Sequence, residues 1–203
     1  MNVEPVTLRG KHVRLEPLRV AHINALCVAG LHAELWTWIP VPVTTPSEMS
    51  DYVNTALDEQ KRGVSLPFVI IDADTNEVIG CTRYGNVERT HKRMEIGWTW
   101  VTPGRQRTPV NSEAKLLLLT HAFESLGANR VELKTDALNM KSRNAIGRIG
   151  AVQEGIFRQH MITAKGRVRD TVYFSIIQAE WPAVKQRLLV RLRHHTLVAA
   201  RGR

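Results

Sequence analysis

The segment Gln106-Arg107-Thr108-Pro109-Val110-Asn111 brings a cation, a hydroxyl group and two amides to the junction between a predicted strand and a predicted helix. The first turn of a helix has unpaired backbone N–H groups and the positive end of the helix dipole, so such a junction is suited to binding an anion. Many junctions of this kind carry an arginine and bind nothing. The segment by itself therefore leaves an anion site and an ordinary loop both open.

The elements on either side of this junction follow from the hydrophobic pattern. The stretch Met94 to Val101 alternates between apolar and polar residues, which predicts a strand. Its two faces would carry Met94, Ile96, Trp98 and Trp100 on one side and Glu95, Gly97 and Thr99 on the other. The stretch Asn111 to Leu126 has an apolar stripe at helical spacing (Leu116, Leu119, Ala122, Phe123, Leu126) and ends at Gly127, which predicts a helix.

The rest of the chain alternates between segments with the hydrophobic period of a strand and segments with that of a helix. Before the junction we expect a strand, two short helices, a longer helix and a hairpin, at His12–Pro17, His22–Gly30, Leu31–Thr37, Thr45–Arg62 and Leu66–Asn86. After it we expect a strand, a helix, two strands and a last helix, at Val131–Thr135, Ser142–Ile149, Val152–Met161, Val168–Ile177 and from Glu180 onward. This order predicts an α/β protein of the α+β type, with helices on a mixed, mostly antiparallel sheet.

Composition limits the classes of function. The 203 residues carry 28 Lys plus Arg against 19 Asp plus Glu, a net charge of +9, which suggests a polyanionic partner such as nucleic acid, a membrane surface or a phosphate-rich small molecule. No apolar run approaches the ~20 residues that span a bilayer, and the N-terminus lacks the pattern of a secretory signal. Cys27 and Cys81 lack metal-type spacing, so we expect no metal site and a cytoplasmic location. We expect one domain over residues 1–192 and a basic tail over 193–203.

Three motifs in order resemble one family. The strand, the Gln106–Asn111 segment and the following Glu113-Ala114 are similar to the acetyl-coenzyme-A signature of the GNAT N-acetyltransferases, Gln-x-x-Gly-x-Gly/Ala and then Glu-Ala. Asn139-x-x-Ser142-x-x-Ala145 and Gly150-Ala151-x-x-Glu154-Gly155 resemble segments of the branch that acetylates ribosomal-protein N-termini, as does the opening Leu8-Arg9-Gly10-Lys11-x-Val13-x-Leu15. The resemblance covers Leu8 to Ile177. It implies a single GNAT domain that transfers acetyl from acetyl-coenzyme A to a primary amine by direct attack in a ternary complex.

The resemblance also implies which residues bind the coenzyme. The backbone of Gly97, Thr99 and Val101 would face the pantetheine arm, and Asn139 would contact the coenzyme nearby. The pyrophosphate would lie against Arg105, Gln106, Arg107, Thr108, Val110 and Asn111. This chain departs from the pattern because Pro109 and Asn111 hold the glycine positions, and Pro109 has no N–H to donate. Ile146 stands where many members carry a tyrosine that acts as general acid.

Three residues are candidates for proton transfer. Ser142 matches the serine proposed as thiolate proton donor in the ribosomal branch; the alternative is a helix N-cap, a role open to Asn139 as well. Glu95, on the polar face of its strand, is the first candidate for general base, unless it is solvated or paired with an arginine. His160 is the second, although Met161 holds the register of the branch's catalytic glutamate and a lone strand histidine is more often structural.

Other features leave alternatives open. Trp36 and Trp38 lie where acceptor clefts commonly form, but we favour core packing for both. The basic end of the chain could contact RNA, a ribosome or an acidic partner, although such a tail is more often a solvated helix end followed by disorder; its residues are Arg187, Arg191, Arg193, His194, His195, Arg201 and Arg203. A nucleic-acid-binding protein is not favoured because no recognised binding motif is present, and a GNAT fold that binds coenzyme A without catalysis is the other alternative. The amine acceptor, which could be a peptide N-terminus or a small molecule, stays open, and so does a homodimer, which is common in this branch.

Overall fold

A single sheet runs through the molecule, in the strand order β1-β2-β3-β4-β5-β6-β8-β7. The strands are β1 (Leu8–Arg9), β2 (Val13–Pro17), β3 (Leu66–Asp72), β4 (Val78–Glu88), β5 (Arg93–Val101), β6 (Arg130–Asp136), β7 (Val152–Ile162) and β8 (Val168–Ile177). Every neighbouring pair is antiparallel except β5 and β6. This computed structural model describes the backbone of residues 1–201 and the side chains of residues 1–194. The predicted mixed, mostly antiparallel sheet is confirmed.

Five α-helices flank the sheet in the described part of the chain: α1 (Ile23–Gly30), α2 (Pro46–Lys61), α3 (Val110–Thr120), α4 (Met140–Ile149) and α5 (Trp181–Arg201). The predicted start of α2 is confirmed, because the Thr45 hydroxyl accepts the N–H of Glu48 at 3.2 Å and the Glu48 carboxylate accepts the N–H of Thr45 at 3.0 Å. The backbone of α5 continues as helix to Arg201, through most of the predicted 193–203 tail. The side chains of His195, Arg201 and Arg203 in that tail lie outside the described residues.

Two apolar cores lie on opposite faces of the sheet. The first contains side chains of α3, α4 and α5 packed on the central strands, and the second contains side chains of α1 and α2. Trp36 belongs to the second core, where its indole N–H donates to the Gly30 carbonyl at 2.8 Å. Core packing is therefore confirmed for Trp36. No helix of the described residues is long and apolar enough to cross a membrane.

The middle of β5 contains a β-bulge. Cys81 of β4 lies opposite Trp100, but Arg83, two residues further on, lies opposite Gly97, three residues back. One residue of β4 therefore faces two residues of β5, and Trp98 takes up the extra length in the left-handed region at φ 49°.

This bulge changes which side chains share a face. Met94 and Ile96 pack in the first core, whereas Trp100 packs in the second. The prediction that Met94, Ile96, Trp98 and Trp100 all share one face was therefore wrong, because an inserted residue reverses the alternation of a strand beyond it.

Candidate functional site

A gap opens between the two parallel strands in the middle of the sheet. β5 and β6 pair only at Arg93 with Arg130, Met94 with Val131 and Glu95 with Glu132. Beyond that point β5 continues to Val101 along β4 but forms no further pairs with β6. Residues 97–101, including the predicted Gly97, Thr99 and Val101, therefore have an edge that no described strand covers. We call this opening the β5–β6 gap.

The predicted anion site lies where β5 leads into α3. A 3₁₀ turn, Pro103–Arg105, is followed by Arg107, which is exposed and has a φ of 63°. The Thr108 hydroxyl donates to the Arg105 carbonyl at 2.7 Å and accepts the N–H of Val110 at 3.4 Å, so it satisfies one group of the first turn of α3. The Val110 side chain is buried, so its backbone is the part that can face a ligand.

The cations at this junction are not equivalent. Arg105 forms an ion pair with the buried Asp72 at 3.2 Å. Among the described side chains, none pairs with Arg107. Arg107 is therefore the predicted phosphate-binding cation that is free to act, together with the N–H groups of Asn111 and the next residue, Ser112.

Gln106 connects the junction to α4. Its side-chain amide donates to the Val101 carbonyl at 3.0 Å, and its carbonyl oxygen accepts from the Lys141 ammonium. Lys141 thus lies beside the start of α3 although it belongs to the first turn of another helix. Lys141 was not predicted from the sequence, although its position two residues after Asn139 was the available signal.

The first turn of α4 settles the capping question. The Asn139 side-chain oxygen accepts the N–H of Ser142 at 3.0 Å, so Asn139 is the N-cap. The alternative that Ser142 is the cap was wrong. Ser142 is half-buried, and its hydroxyl has no hydrogen-bond partner among the residues that the structure describes.

Glu95 lies at the closed end of the gap and is 3% exposed. Its Oε2 accepts from the Asn86 amide at 2.7 Å and pairs with the Lys134 ammonium at 2.9 Å. Its Oε1 accepts no hydrogen bond from the described residues and points to Gly97, where an added Cβ would lie 2.7 Å from it. Glu95 is therefore neither solvated nor paired with an arginine, and it keeps one oxygen free next to the gap.

His160 lies on the same face of the sheet as Glu95 but is exposed. Its ring is 5.4 Å from that of Phe157 and 5.7 Å from that of Tyr173, and the Lys134 ammonium is 5.7 Å from the Tyr173 ring. Partial burial, followed by the positive charges of Lys134 and Arg169, lowers the pKa of His160. The two candidate bases are thus brought to one face, with Lys134 and Tyr173 between them, both of which the sequence analysis missed.

A groove of about 420 Å³ adjoins this row of side chains. Its wall includes Lys134, Tyr173 and Phe157 together with charged residues that pair with one another, such as Arg130 with Glu154. The groove reaches Glu95 through Asn86 and Lys134, which line it and contact the Glu95 Oε2.

Trp38 is partly buried and belongs to neither core. The Arg167 guanidinium lies 5.9 Å from its ring, and Arg169 donates to its carbonyl at 3.5 Å. Both arginines pair with the buried Asp136. The core interpretation of Trp38 was wrong, because Asp136 at the end of β6 holds Arg167 and Arg169 next to it.

A mixed sheet whose two parallel strands separate beside a helix N-terminus defines the class of acyl-coenzyme-A-dependent N-acyltransferases. Residues 12–152 match the family model of the acetyltransferase (GNAT) domain, and the chain belongs to this family. It is an N-acetyltransferase by family and as such uses an acyl-coenzyme A and an acceptor.

Three similar proteins illustrate the match. The chain is 28% identical over 178 residues to the uncharacterized N-acetyltransferase p20 of Bacillus licheniformis, covering 86% of this chain and 98% of that one. The structure of a GCN5-related N-acetyltransferase from Brucella melitensis has 34% identity and a TM-score of 0.86, covering 94% and 86% of the two chains. Mycobacterium smegmatis RimJ, solved with CoA-disulfide, shares the fold at 24% identity and a TM-score of 0.81, covering 92% and 95%.

Proposed function

We propose that this protein transfers the acetyl group of acetyl-coenzyme A to a primary amine by direct attack in a ternary complex. The observation that carries the proposal is the β5–β6 gap, which opens beside the first turn of α3 and closes at the free oxygen of Glu95. A donor that binds along the gap would bring its thioester to the side chain best placed to receive a proton.

The coenzyme would lie along the uncovered edge of β5. Its pantetheine arm can pair with the backbone of Gly97, Thr99 and Val101 as a strand would. Its pyrophosphate would meet the first turn of α3, the free Arg107 and the Gln106–Lys141 pair. The loss of an N–H at Pro109 is offset by these side chains.

The acceptor would approach through the groove beside Lys134 and Tyr173. Its nitrogen attacks the thioester carbon, the carbon–sulfur bond breaks, and the amine gives up a proton. Glu95 Oε1 is the first candidate to accept that proton, and Lys134 holds the carboxylate in place through Oε2. The neutral form of His160, favoured by its lowered pKa, is the second candidate, because its ring contacts Phe157 and Tyr173, which line the groove.

The departing sulfur needs a proton donor. Ile146 is buried in the first core and cannot fill this role. The unpaired hydroxyl of Ser142 is the candidate in the adjacent turn of α4. Direct attack is favoured over an acyl-enzyme because Cys81 is buried, donates to the Phe68 carbonyl at 3.1 Å, and has its pKa raised to about 11 by burial.

The test is acetyl-coenzyme-A turnover, measured as thiol release over a panel of amines and peptides with free N-termini. We expect release that depends on an amine, and stabilisation by acetyl-coenzyme A of about 2.7 kcal/mol at a hundredfold excess over its dissociation constant. Glu95→Gln should lower kcat/KM by ~10²–10⁴-fold. Glu124→Gln is the matched control, because Glu124 also pairs with a lysine, Lys185 at 2.7 Å, but does not line the groove. Binding without turnover would support the non-catalytic alternative.

A further inference from the structure

A lysine is buried within the helix that begins at the anion-binding junction. Lys115 of α3 is 6% exposed, and its ammonium donates to the Thr99 hydroxyl at 2.7 Å. Within residues 1–194, no carboxylate lies within ion-pair distance of it. An ammonium has three donors, and burial with one neutral partner is unfavourable. Burial lowers the pKa of Lys115 to about 7, while the Glu95 carboxylate acts in the opposite direction.

The hydroxyl that Lys115 contacts belongs to the residue after the bulge. The Thr99 oxygen also lies 2.8 Å from the Thr82 hydroxyl and 3.3 Å from the Gly97 carbonyl. These contacts join the helix to both sides of the bulged residue, Trp98. The Thr82 contact lies on the β4 side, so it anchors the stretch of β5 whose opposite edge borders the β5–β6 gap.

The other side of the bulge is fixed by α2. The Tyr52 hydroxyl donates to the Trp98 carbonyl at 3.4 Å. The Arg83 guanidinium lies 4.7 Å from the Trp98 ring and 5.2 Å from the Tyr52 ring, and it pairs with Glu59 at 2.8 Å. The bulge is thus held by a stacked group on one face and by the Lys115–Thr99 contact on the other.

Packing alone does not account for an amine at this position. The neighbouring inward positions of α3, Ala114 and Leu118, are apolar and fully buried. A methionine at position 115 would fill a similar volume without burying a polar group. The specific gain from lysine is its hydrogen bond to Thr99, which a neutral amine and an ammonium can both donate.

We propose that Lys115 is a positioning residue that acts through Thr99 to fix the β5 bulge, and with it the backbone N–H groups on the uncovered edge of residues 97–101, which would face the thioester carbonyl of a donor bound in the gap. The proposal rests on the proposed function insofar as the gap holds acetyl-coenzyme A. The carbonyl oxygen gains negative charge during attack, and donors held in advance stabilise that charge without reorganising. A displacement of about 1 Å at such a site can lower the rate by ~10²-fold.

The first experiment is a double-mutant cycle on turnover. Lys115→Met should lower kcat by ~10- to 100-fold, with the KM for acetyl-coenzyme A within about threefold of wild type. Thr99→Val, which keeps the backbone, should have a similar effect, and the double variant should be no slower than the slower single variant. Leu118→Met, a volume-conserving change in the same helix, is the control for altered packing and should keep kcat. An unchanged kcat in Lys115→Met, or losses that multiply in the double variant, would overturn the proposal.

The second experiment does not need turnover. A ketone analogue of acetyl-coenzyme A, with a methylene group in place of sulfur, keeps the carbonyl oxygen but cannot react. We expect wild type to bind it more tightly relative to coenzyme A than Lys115→Met does, by about fivefold or more. Equal ratios in the two proteins would overturn the role of Lys115. If wild type turns over no amine but the ratios differ, the proposed function fails while the positioning role stands.

Discussion

The Glu113 carboxylate ties the first turn of α3 to the loop between β1 and β2. Its Oε1 accepts the N–H of Lys11 at 2.9 Å, and its Oε2 accepts those of His12 at 2.6 Å and Val13 at 2.8 Å. Glu113 is buried, so water cannot readily replace it. We predict that Glu113→Gln destabilises the protein by about 3 kcal/mol.

The magnitude follows from the asymmetry of the two oxygens. A glutamine amide would turn its carbonyl to the two donors of His12 and Val13 and leave its NH₂ against the N–H of Lys11. One partly buried N–H, that of Lys11, is then unsatisfied, at about 1 kcal/mol, and two charge-assisted bonds become neutral ones, at roughly 1 kcal/mol each.

Urea denaturation monitored by circular dichroism measures this loss as a shift in midpoint at constant slope. Glu34→Gln, at an exposed site, should stay within about 0.5 kcal/mol of wild type. A Glu113→Gln protein as stable as that control would refute the reasoning. A second variant tests the same contact. A Cβ on Gly10 would lie 2.5 Å from the Glu113 carboxyl, so Gly10→Ala should destabilise the wild-type protein more than it destabilises the Glu113→Ala variant.

Three further predictions concern the candidate site. Asn139→Ala should lower the free energy of unfolding by ~1 kcal/mol because it removes the cap of α4, whereas Ser142→Ala should leave stability unchanged and lower kcat. Thermal melts and turnover measured on both variants separate the two roles. A fully active Ser142→Ala would contradict the role of Ser142 as proton donor to the thiolate. Arg107→Ala should weaken acetyl-coenzyme-A binding and reduce the dependence of the affinity on salt, as measured by calorimetry. If neither the substitution nor raised salt changes the affinity, the phosphates lie elsewhere. Because the folded pKa of Lys115 is about 7 against 10.5 for an ordinary lysine, the unfolded chain binds the extra proton between these pH values, and stability should rise with pH through that window. The unfolding free energy of wild type relative to that of Lys115→Met should therefore rise between pH 7 and pH 10, by at most about 5 kcal/mol, and a constant difference would contradict the buried amine.

Local signals predicted the elements well because they depend on neighbours in the chain. The Thr45–Glu48 capping box and the cap at Asn139 are decided within one helical turn. The apolar stripe of α3 was less well predicted. A π-helical turn, His121–Ser125, adds a residue after α3 and shifts the buried face of the helix. A stripe with regular helical spacing therefore predicts that Leu116 is buried, but Leu116 is only half-buried, and the stripe does not include the buried Lys115.

The groups around Glu95 could not be predicted from local pattern. Lys134 and Tyr173 are 39 residues apart and become neighbours only because β8 returns between β6 and β7. The bulge at Trp98 likewise depends on the register of β4, to which the alternation within β5 gives no clue. The coenzyme-side residues were placed by resemblance to a family, whereas the acceptor-side residues follow from strand order.

The short ladder between β5 and β6 has a consequence for motion. In the described residues, three residue pairs and one hydrogen bond next to them, from the Asn129 N–H to the Lys92 carbonyl at 2.7 Å, form the backbone pairing between the β1–β5 half of the sheet and the β6–β8–β7 half. Opening energy follows the amount of pairing and packing that must be broken, so this junction is where the two halves can twist against each other at least cost. A pantetheine arm paired along β5 would act as a missing strand and join the halves. Coenzyme binding is then expected to slow amide hydrogen exchange on both sides of the junction, and the acceptor would meet a sheet that its co-substrate has already stiffened.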